Sequence, residues 1–342
     1  MKMKNRFARY VEVLDTTLRD GEQTPGVAYT PAEKFEIARL FISHLHIDRL
    51  EIGSARVSEG EKEGLRSILK WAEHRNCLDR MEILGFVDGG KSANWIRECG
   101  GTVFNLLAKG SENHCRVQLR KEPEEHFSDV CREIEQARKM GLQVNVYLED
   151  WSNGMADSFP YVFAFLRRLS EMEIERVMLP DTLGILTPEQ VSRYLDWVYS
   201  AAPDLRVDFH GHNDYGLVTA NSLAAVKAGV SGIHVTVNGL GERTGNQSLA
   251  QLVVAINDHT DRKTRVVEKE LLHASEIVQT ISGKRYAWNA PVVGSDVFTQ
   301  TCGVHADGDR KGNLYANRLL PERFGRKRDY ALGKLSGKAS LD

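Results

Sequence analysis

Two histidines separated by one residue close the run Leu205-Arg-Val-Asp-Phe-His210-Gly-His212, and this spacing is the first chemistry the chain offers. The apolar–polar alternation before them reads as a half-buried strand. Two neutral imidazoles at one strand end can bind a single divalent cation from the same side. An isolated triplet of this kind is more often a pair of polar loop residues. Here it continues as Asn213-Asp214, and several other apolar runs also end in reactive groups. They end at Asp15-Thr-Thr-Leu-Arg-Asp20, Glu51-Ile-Gly-Ser54, Tyr147-Leu-Glu-Asp150 and Pro180-Asp-Thr182, and a further one leads into Asn238-Gly-Leu-Gly-Glu-Arg-Thr-Gly-Asn246. Any one could cap a helix; their convergence on one rim points to catalysis.

Asp20, His210 and His212 make a mixed oxygen–nitrogen ligand set, with the Asn246 amide oxygen a fourth candidate. Three protein ligands plus open positions suit a catalytic cation, and the set accepts Mg²⁺, Mn²⁺ or Zn²⁺ without choosing among them. Such a cation can chelate a 2-oxo acid through its carboxylate and keto oxygens and polarise the carbonyl. Arg19, next to Asp20, is placed to hydrogen-bond the oxygen that becomes an alkoxide. Its alternative role is a salt bridge to Asp150 or Asp181. Thr182 is a candidate for the substrate carboxylate, with helix capping the competing reading. Glu149 is a base, an orienting group or a water-positioning group, and the residues alone leave that open.

Eight short runs must position these groups: Val11–Leu14, Arg49–Ile52, Met81–Phe86, Thr102–Leu107, Gln143–Leu148, Arg176–Leu179, Arg206–Phe209 and Gly232–Val237. Helical stretches alternate with them. Pro31–His44 starts after Thr30, with Glu33 completing a capping box, and Pro188–Ala201 starts similarly after Thr187. Ala220–Ala228 also has helical spacing. Strand–helix alternation implies parallel strands, and eight units within about 250 residues favour a (β/α)₈ TIM barrel over an open sheet. No GxGxxG follows the first strand, which weighs against dinucleotide binding. The catalytic barrel is expected over residues 1–260. Residues 261–342 form an accessory region with one helical run, Glu268–Ile281, followed by loops.

Bulk composition narrows the class. A net charge of −2 gives no electrostatic reason for a nucleic-acid or membrane partner. The local cluster Arg323, Arg326, Lys327, Arg328 reads as a solvated face, or else an anion contact. Five scattered cysteines without CxxC spacing suit a reducing cytosol rather than disulfides. The basic N-terminus lacks an apolar stretch behind it, and no apolar run approaches a membrane span. The expectation is a soluble cytoplasmic protein.

Asp15-Thr-Thr-Leu-Arg-Asp-Gly-Glu-Gln23, His210-Gly-His-Asn-Asp214 and the Asn238–Asn246 segment together resemble the metal-dependent Claisen-condensing barrel enzymes. That family includes isopropylmalate, homocitrate and citramalate synthases and the related hydroxymethylglutaryl-CoA lyases. The resemblance covers roughly residues 10 to 340. It implies Asp20, His210, His212 and Asn246 as the metal set, with Arg19 and Thr182 at a 2-oxo acid and acetyl-CoA as the second substrate. Gly303-Val-His-Ala-Asp-Gly308 and Gly312-Asn-Leu-Tyr315 also match, which makes His305 and Tyr315 acid–base candidates near the acetyl group. In the family these residues reach a neighbouring subunit, implying a domain-swapped homodimer. A further regulatory domain is usual in such synthases. Leu335–Asp342 ends inside the accessory region, so truncation or absent feedback control is expected.

Acceptor choice should lie opposite the metal, where Leu84, Leu107 and Tyr147 fall near the ends of strands three, four and five. Bulky groups at all three leave room for little more than a methyl, and the trio resembles that of the synthases acting on pyruvate. A core role for the leucines is the competing reading. Tyr147 is two residues from Glu149 and so shares its strand face. The expected reaction joins pyruvate, acetyl-CoA and water into citramalate and CoA. The alternative enzyme is an isopropylmalate synthase acting on 2-oxoisovalerate. A lyase is disfavoured because Gly239–Gly245 lacks a cysteine. A non-catalytic 2-oxo acid binding module is the reading from another class, and it need not retain a labile cation.

Overall fold

The computed structural model describes residues 8–331 and 333–334; residues 1–7 and the terminal run Leu335–Asp342, with the expectations drawn on them, lie outside the described residues. Eight parallel strands close into a barrel in sequence order, β1 to β8. They are β1 Glu12–Asp15, β2 Arg49–Ser54, β3 Met81–Phe86, β4 Val103–Lys109, β5 Gln143–Glu149, β6 Arg176–Asp181, β7 Val207–Gly211 and β8 Gly232–Val235. Several run further toward their C-terminal ends than hydrophobicity predicts. The ladder pairs Lys109 with Glu149, Pro180 with His210 and Asp181 with Gly211, so polar rim residues belong to the sheet. β8 corrects the other way, ending at Val235 rather than Val237. Thr236 instead bridges to Ser248, on the segment returning from the site loop.

Alternation along the strands divides two apolar regions. The outward residues, among them Ile52, Ile83, Leu106, Val146, Leu179 and Phe209, join the helices in the main core. Inside the barrel a separate small cluster holds Leu14, Leu84, Tyr147 and Met178, with Leu107 packed against it. Burial on both faces explains the near-continuous apolar runs of parallel strands. Below the inner cluster the lumen is ionic. Arg49 donates to Glu82 (2.9 Å) and Asp208, and Arg176 donates to Asp208 (3.0 Å).

The helices begin where local chemistry sets them. In α1, Pro31–Ser43, Glu33 N donates to Thr30 Oγ1 and Thr30 N to Glu33 Oε2, which completes the predicted box. Ten more follow: α2 Glu59–His74, α3 Lys91–Cys99, α4 Pro123–Lys139, α5 Trp151–Asp157, α6 Phe159–Ser170, α7 Pro188–Ala201, α8 Val218–Lys227, α9 Leu249–His259, α10 Leu271–Ser282 and α11 Gly303–Gly312. α8 therefore starts two residues before the predicted Ala220. The helix expected from Glu268 opens as a 3₁₀ turn over Glu268–Glu270 before α10.

The accessory region differs more. Its expected loops contain α11, which carries His305, and a two-stranded parallel sheet of β9 Thr299–Gln300 with β10 Asp329–Tyr330. The basic cluster is mostly turned inward. Arg323 pairs with Asp258 (2.8 Å) and Glu268, Arg326 donates to the Val292 and Gly294 carbonyls, and Arg328 meets Asp309. Neither a solvated face nor an anion contact describes these three arginines, because short-range acceptors exist that spacing cannot reveal. All five cysteines are free. Among the described residues no helix is long and apolar enough to cross a membrane.

His126 on α4 ties the outer layer to the rim by accepting a hydrogen bond from Lys109 N at 3.1 Å. Burial depresses its pKa to about 4. The unfolded chain therefore takes up a proton near pH 6.5 that the native state refuses until about pH 4. Stability is retained above pH 6.5 and is lost as pH falls through that window, by up to about 3 kcal/mol. Urea midpoints at pH 7 and pH 4.5 check this. The loss should shrink in His126→Gln, whose amide oxygen accepts the same bond without titrating.

Candidate active site

The C-terminal rim of the barrel gathers Asp20, His210 and His212 into one buried group, with one ligand atom from each within 4.8 Å of the others. His210 Nε2 lies 3.3 Å from His212 Nε2 and 3.4 Å from Asp20 Oδ2. β7 presents His210, and His212 is placed one step beyond the strand by a bridge to Asn246. Asp20 follows β1 at the start of a short 3₁₀ turn, Gly21–Gln23. That turn is anchored from outside. Buried Lys34 of α1 reaches both Glu22 and Glu61 at 2.7 Å.

Burial holds both imidazoles below the ordinary histidine range, well below it for His210. Burial alone would raise the Asp20 carboxyl, but the Arg19 guanidinium beside it holds it well below the carboxylate range. Neutral histidines beside an ionised carboxylate are the protonation states a cation requires. Asp20 Oδ1 and Asn246 Oδ1 are buried without a hydrogen-bond partner. Asn246 spends its amide nitrogen on the Leu240 carbonyl at 2.9 Å, which leaves that oxygen unused. Buried polar atoms are rarely left unpaired. These residues fit a divalent cation.

The loop from Asn238 to Asn246 needs its glycines to bring Asn246 in. Gly245 has φ +82°, and a Cβ there would fall 1.9 Å from the Gly239 carbonyl oxygen. At Gly241, φ +150°, a Cβ would fall 2.2 Å from Asn246 Nδ2. Only glycine accepts such close approach in that backbone region.

Arg19 does not pair with Asp150 or Asp181. Its Nε donates to Glu51 Oε2 at 2.6 Å and its Nη1 lies 3.1 Å from Asp20 Oδ2. Asp181 instead caps the Ile185 and Leu186 amides, and Asp150 accepts from the Ser111 hydroxyl. Thr182 is not a helix cap; its Oγ1 accepts from Asp150 N at 2.9 Å. Glu149 is paired with Lys109 across the β4–β5 ladder. Tyr147 lies beneath the histidines, its ring centroid 6.3 Å from that of His210 and 5.9 Å from the Arg19 guanidinium carbon. Leu84 and Leu107 complete one apolar patch with it.

His305 and Tyr315 are not brought to this rim. They stack on each other at 4.1 Å and are exposed, without a hydrogen bond, ion pair or ring contact to the barrel among the described residues. Sequence reading named Glu51 only among the reactive strand ends and gave no role to Lys109 or His234. Each is a polar residue inside an apolar strand at the parity that faces the lumen, and that pattern was the available signal. A cavity of about 1380 Å³ lies elsewhere, lined by Lys227, His259 and Lys263 among others. Among the described residues it contains no convergent ligand set, so volume is a poorer guide here than donor chemistry.

Residues 10–278 match the HMGL-like family. Over 332 residues the chain is 35% identical to the (R)-citramalate synthase CimA of Methanocaldococcus jannaschii, covering 97% of this chain and 64% of that relative. It is 33% identical over 333 residues to a protein of Ignicoccus hospitalis described as a probable 2-isopropylmalate synthase, covering 97% and 81%. The chain thus spans less than two thirds of the first of these relatives. The solved hydroxymethylglutaryl-CoA lyase of Pseudomonas aeruginosa shares the fold, with a TM-score of 0.69 and 21% identity over 84% of this chain and 97% of that one. With the barrel and its buried Asp–His–His rim, these matches show that the chain belongs to the HMGL-like family.

Proposed function

We propose that this protein is an acyltransferase that condenses acetyl-CoA with pyruvate, giving (R)-citramalate and CoA. The observation that carries the reading is the single apolar patch of Leu84, Leu107 and Tyr147 next to the Asp20–His210–His212 group. The patch is suited to a methyl group. The named synthase of M. jannaschii supports this acceptor, while the I. hospitalis relative keeps isopropylmalate synthesis as the second reading.

Asp20, His210, His212 and Asn246 would hold the divalent cation, which when bound polarises the keto carbonyl. Arg19, fixed by Glu51, offers its guanidinium to the keto oxygen as negative charge develops there. The Thr182 oxygen already accepts from Asp150 N, so its hydroxyl hydrogen is free to donate to the substrate carboxylate. A base from Glu149, His305 or Tyr315 takes a proton from the acetyl methyl group, and the resulting carbon attacks the keto carbon. Water then cleaves the thioester, releasing CoA and making the change irreversible. The His305–Tyr315 stack, exposed and apart from its own rim, supports a role at the rim of a partner in a domain-swapped homodimer. A cytoplasmic setting, with its acetyl-CoA and pyruvate, belongs to the same proposal.

Calorimetric titration of metal-loaded protein with pyruvate and then 2-oxoisovalerate tests the acceptor. Pyruvate should bind at least about tenfold tighter, since each misplaced methylene changes affinity by roughly 10–200-fold. Equal or tighter binding of the branched acid would move the assignment to isopropylmalate synthesis.

A further inference from the structure

Tyr147 leaves β5 and crosses the lumen, and its hydroxyl lies 3.0 Å from His234 Nδ1 on β8. The two rings meet edge to face at 5.4 Å and 85°. β5 and β8 are not neighbours in the closed barrel, so this bond spans the interior instead of following the wall. His234 is 1% exposed, and its Nε2 faces Asp208 Oδ2 at 3.4 Å. From Asp208 the polar contacts continue through Arg49 to Glu82. Asn105 donates to both Glu82 and Glu51, and Glu51 receives Arg19. The circuit returns to its start because Arg19 lies over the Tyr147 ring. It therefore begins and ends on two side chains of the acceptor pocket.

The neighbours favour one placement of the hydrogens. Asp208 accepts from Arg49 and Arg176 and faces His234 Nε2 at 3.4 Å, a charge contact in which Nε2 makes no hydrogen bond. A hydrogen on Nε2, facing the carboxylate, is the electrostatically favoured arrangement, and it leaves Nδ1 to accept from the Tyr147 hydroxyl. Two consequences follow for the pocket. The ring is tethered at both ends, by its Cα on β5 and by its hydroxyl on β8. Its hydroxyl hydrogen is also committed, so no free donor waits there for a polar acceptor side chain.

We propose that His234 is a positioning residue for acceptor choice, pinning Tyr147 as the fixed floor of the pocket so that branched 2-oxo acids are refused. The inference rests on the reading that a 2-oxo acid occupies this site. It differs from a core role for Tyr147, which would need bulk at that position but no partner across the lumen.

The test compares wild type with His234→Gln, His234→Asn, Tyr147→Phe and the His234→Gln/Tyr147→Phe double variant. All are metal-loaded and titrated calorimetrically with pyruvate and 2-oxoisovalerate. The longer Gln amide reaches the Nε2 place and loses the acceptor for the hydroxyl; the shorter Asn amide reaches the Nδ1 place and keeps it. His234→Gln and Tyr147→Phe should each lower the pyruvate preference by about tenfold, with no further fall in the double variant, because both remove one bond. His234→Asn should recover most of the preference. An unchanged preference in His234→Gln, or a double variant showing the product of the single effects, overturns the proposal. A ¹⁵N NMR measurement of the wild-type imidazole without any acid provides a separate check. Protonated Nε2 and an Nδ1 coupled across the hydrogen bond to the Tyr147 hydroxyl proton are expected; an Nδ1 that neither shows this coupling nor carries a protected hydrogen of its own overturns the tether. If wild type binds neither acid, the proposed function fails on its own, and the ring measurement still decides the tether.

Discussion

Asp20→Ala should strip the protein of its divalent cation, weakening affinity by more than about a hundredfold, since even residues behind the ligands are worth 10–100-fold. The reason lies in the charge balance of the rim. Asp20 is the single carboxylate in the proposed ligand group, whose other members are neutral imidazoles and an amide. Its removal leaves the Arg19 guanidinium, now 3.1 Å from Asp20 Oδ2, facing the vacated place, and that charge repels a cation. His212→Ala should fail almost as badly. Asp20→Asn, which keeps the shape without the charge, should lie between. Metal content after exhaustive dialysis, followed by Mn²⁺ calorimetry, reads the effect without needing turnover. A full equivalent of tightly held cation in Asp20→Ala would refute the ligand assignment. Circular dichroism of the same samples separates metal loss from unfolding.

Arg19→Gln should lower condensation by roughly 10²–10³-fold while the cation stays bound, the usual cost of losing one donor to a developing oxyanion. Release of CoA thiol gives the rate and metal analysis gives the control. Arg19→Lys should rescue little. A lysine cannot place one nitrogen on Glu51 and direct another toward the substrate, as the guanidinium fork does. Glu51 complicates the single variant, for it is fully buried and, among the described residues, keeps only Asn105 as hydrogen-bond partner once Arg19 is gone. Stranding a buried charge costs about 3–5 kcal/mol. The Arg19→Gln/Glu51→Gln pair should recover that stability without recovering rate. Recovery of rate in the pair, or unchanged rate in Arg19→Gln, would remove Arg19 from the chemistry.

Much of this arrangement was legible residue by residue. Alternation and turn signals located eight strands because each strand has an outer face that must meet helices, whatever the rest of the chain does. Thr30 with Glu33, and Thr187 before Pro188, announced their helices because such signals are complete within one turn; the structure adds Gln190, which completes a second capping box. The Asp20, His210 and His212 group could be named because a barrel delivers every strand end to one rim. The apolar trio was placed near three strand ends by the resemblance, and parity fixed the face of Tyr147 alone, through Glu149. The accessory region was less legible. α11 has little apolar periodicity over Gly303–Gly312, and packing supplies what propensity does not.

What the sequence by itself determined, then, depends on position along one strand or within one helical turn: the eight barrel strands, the capped helix starts and the candidate ligand types at the rim. The tertiary structure alone decided which lumen residue meets which. Arg19 takes Glu51 rather than Asp150 or Asp181, Glu149 takes Lys109, and Tyr147 reaches His234 across 87 residues of chain. The physical reason is closure. Alternation fixes the face a side chain points to, but the stagger and tilt of eight strands fix its height and its opposite neighbour, and those belong to the whole ring of strands at once.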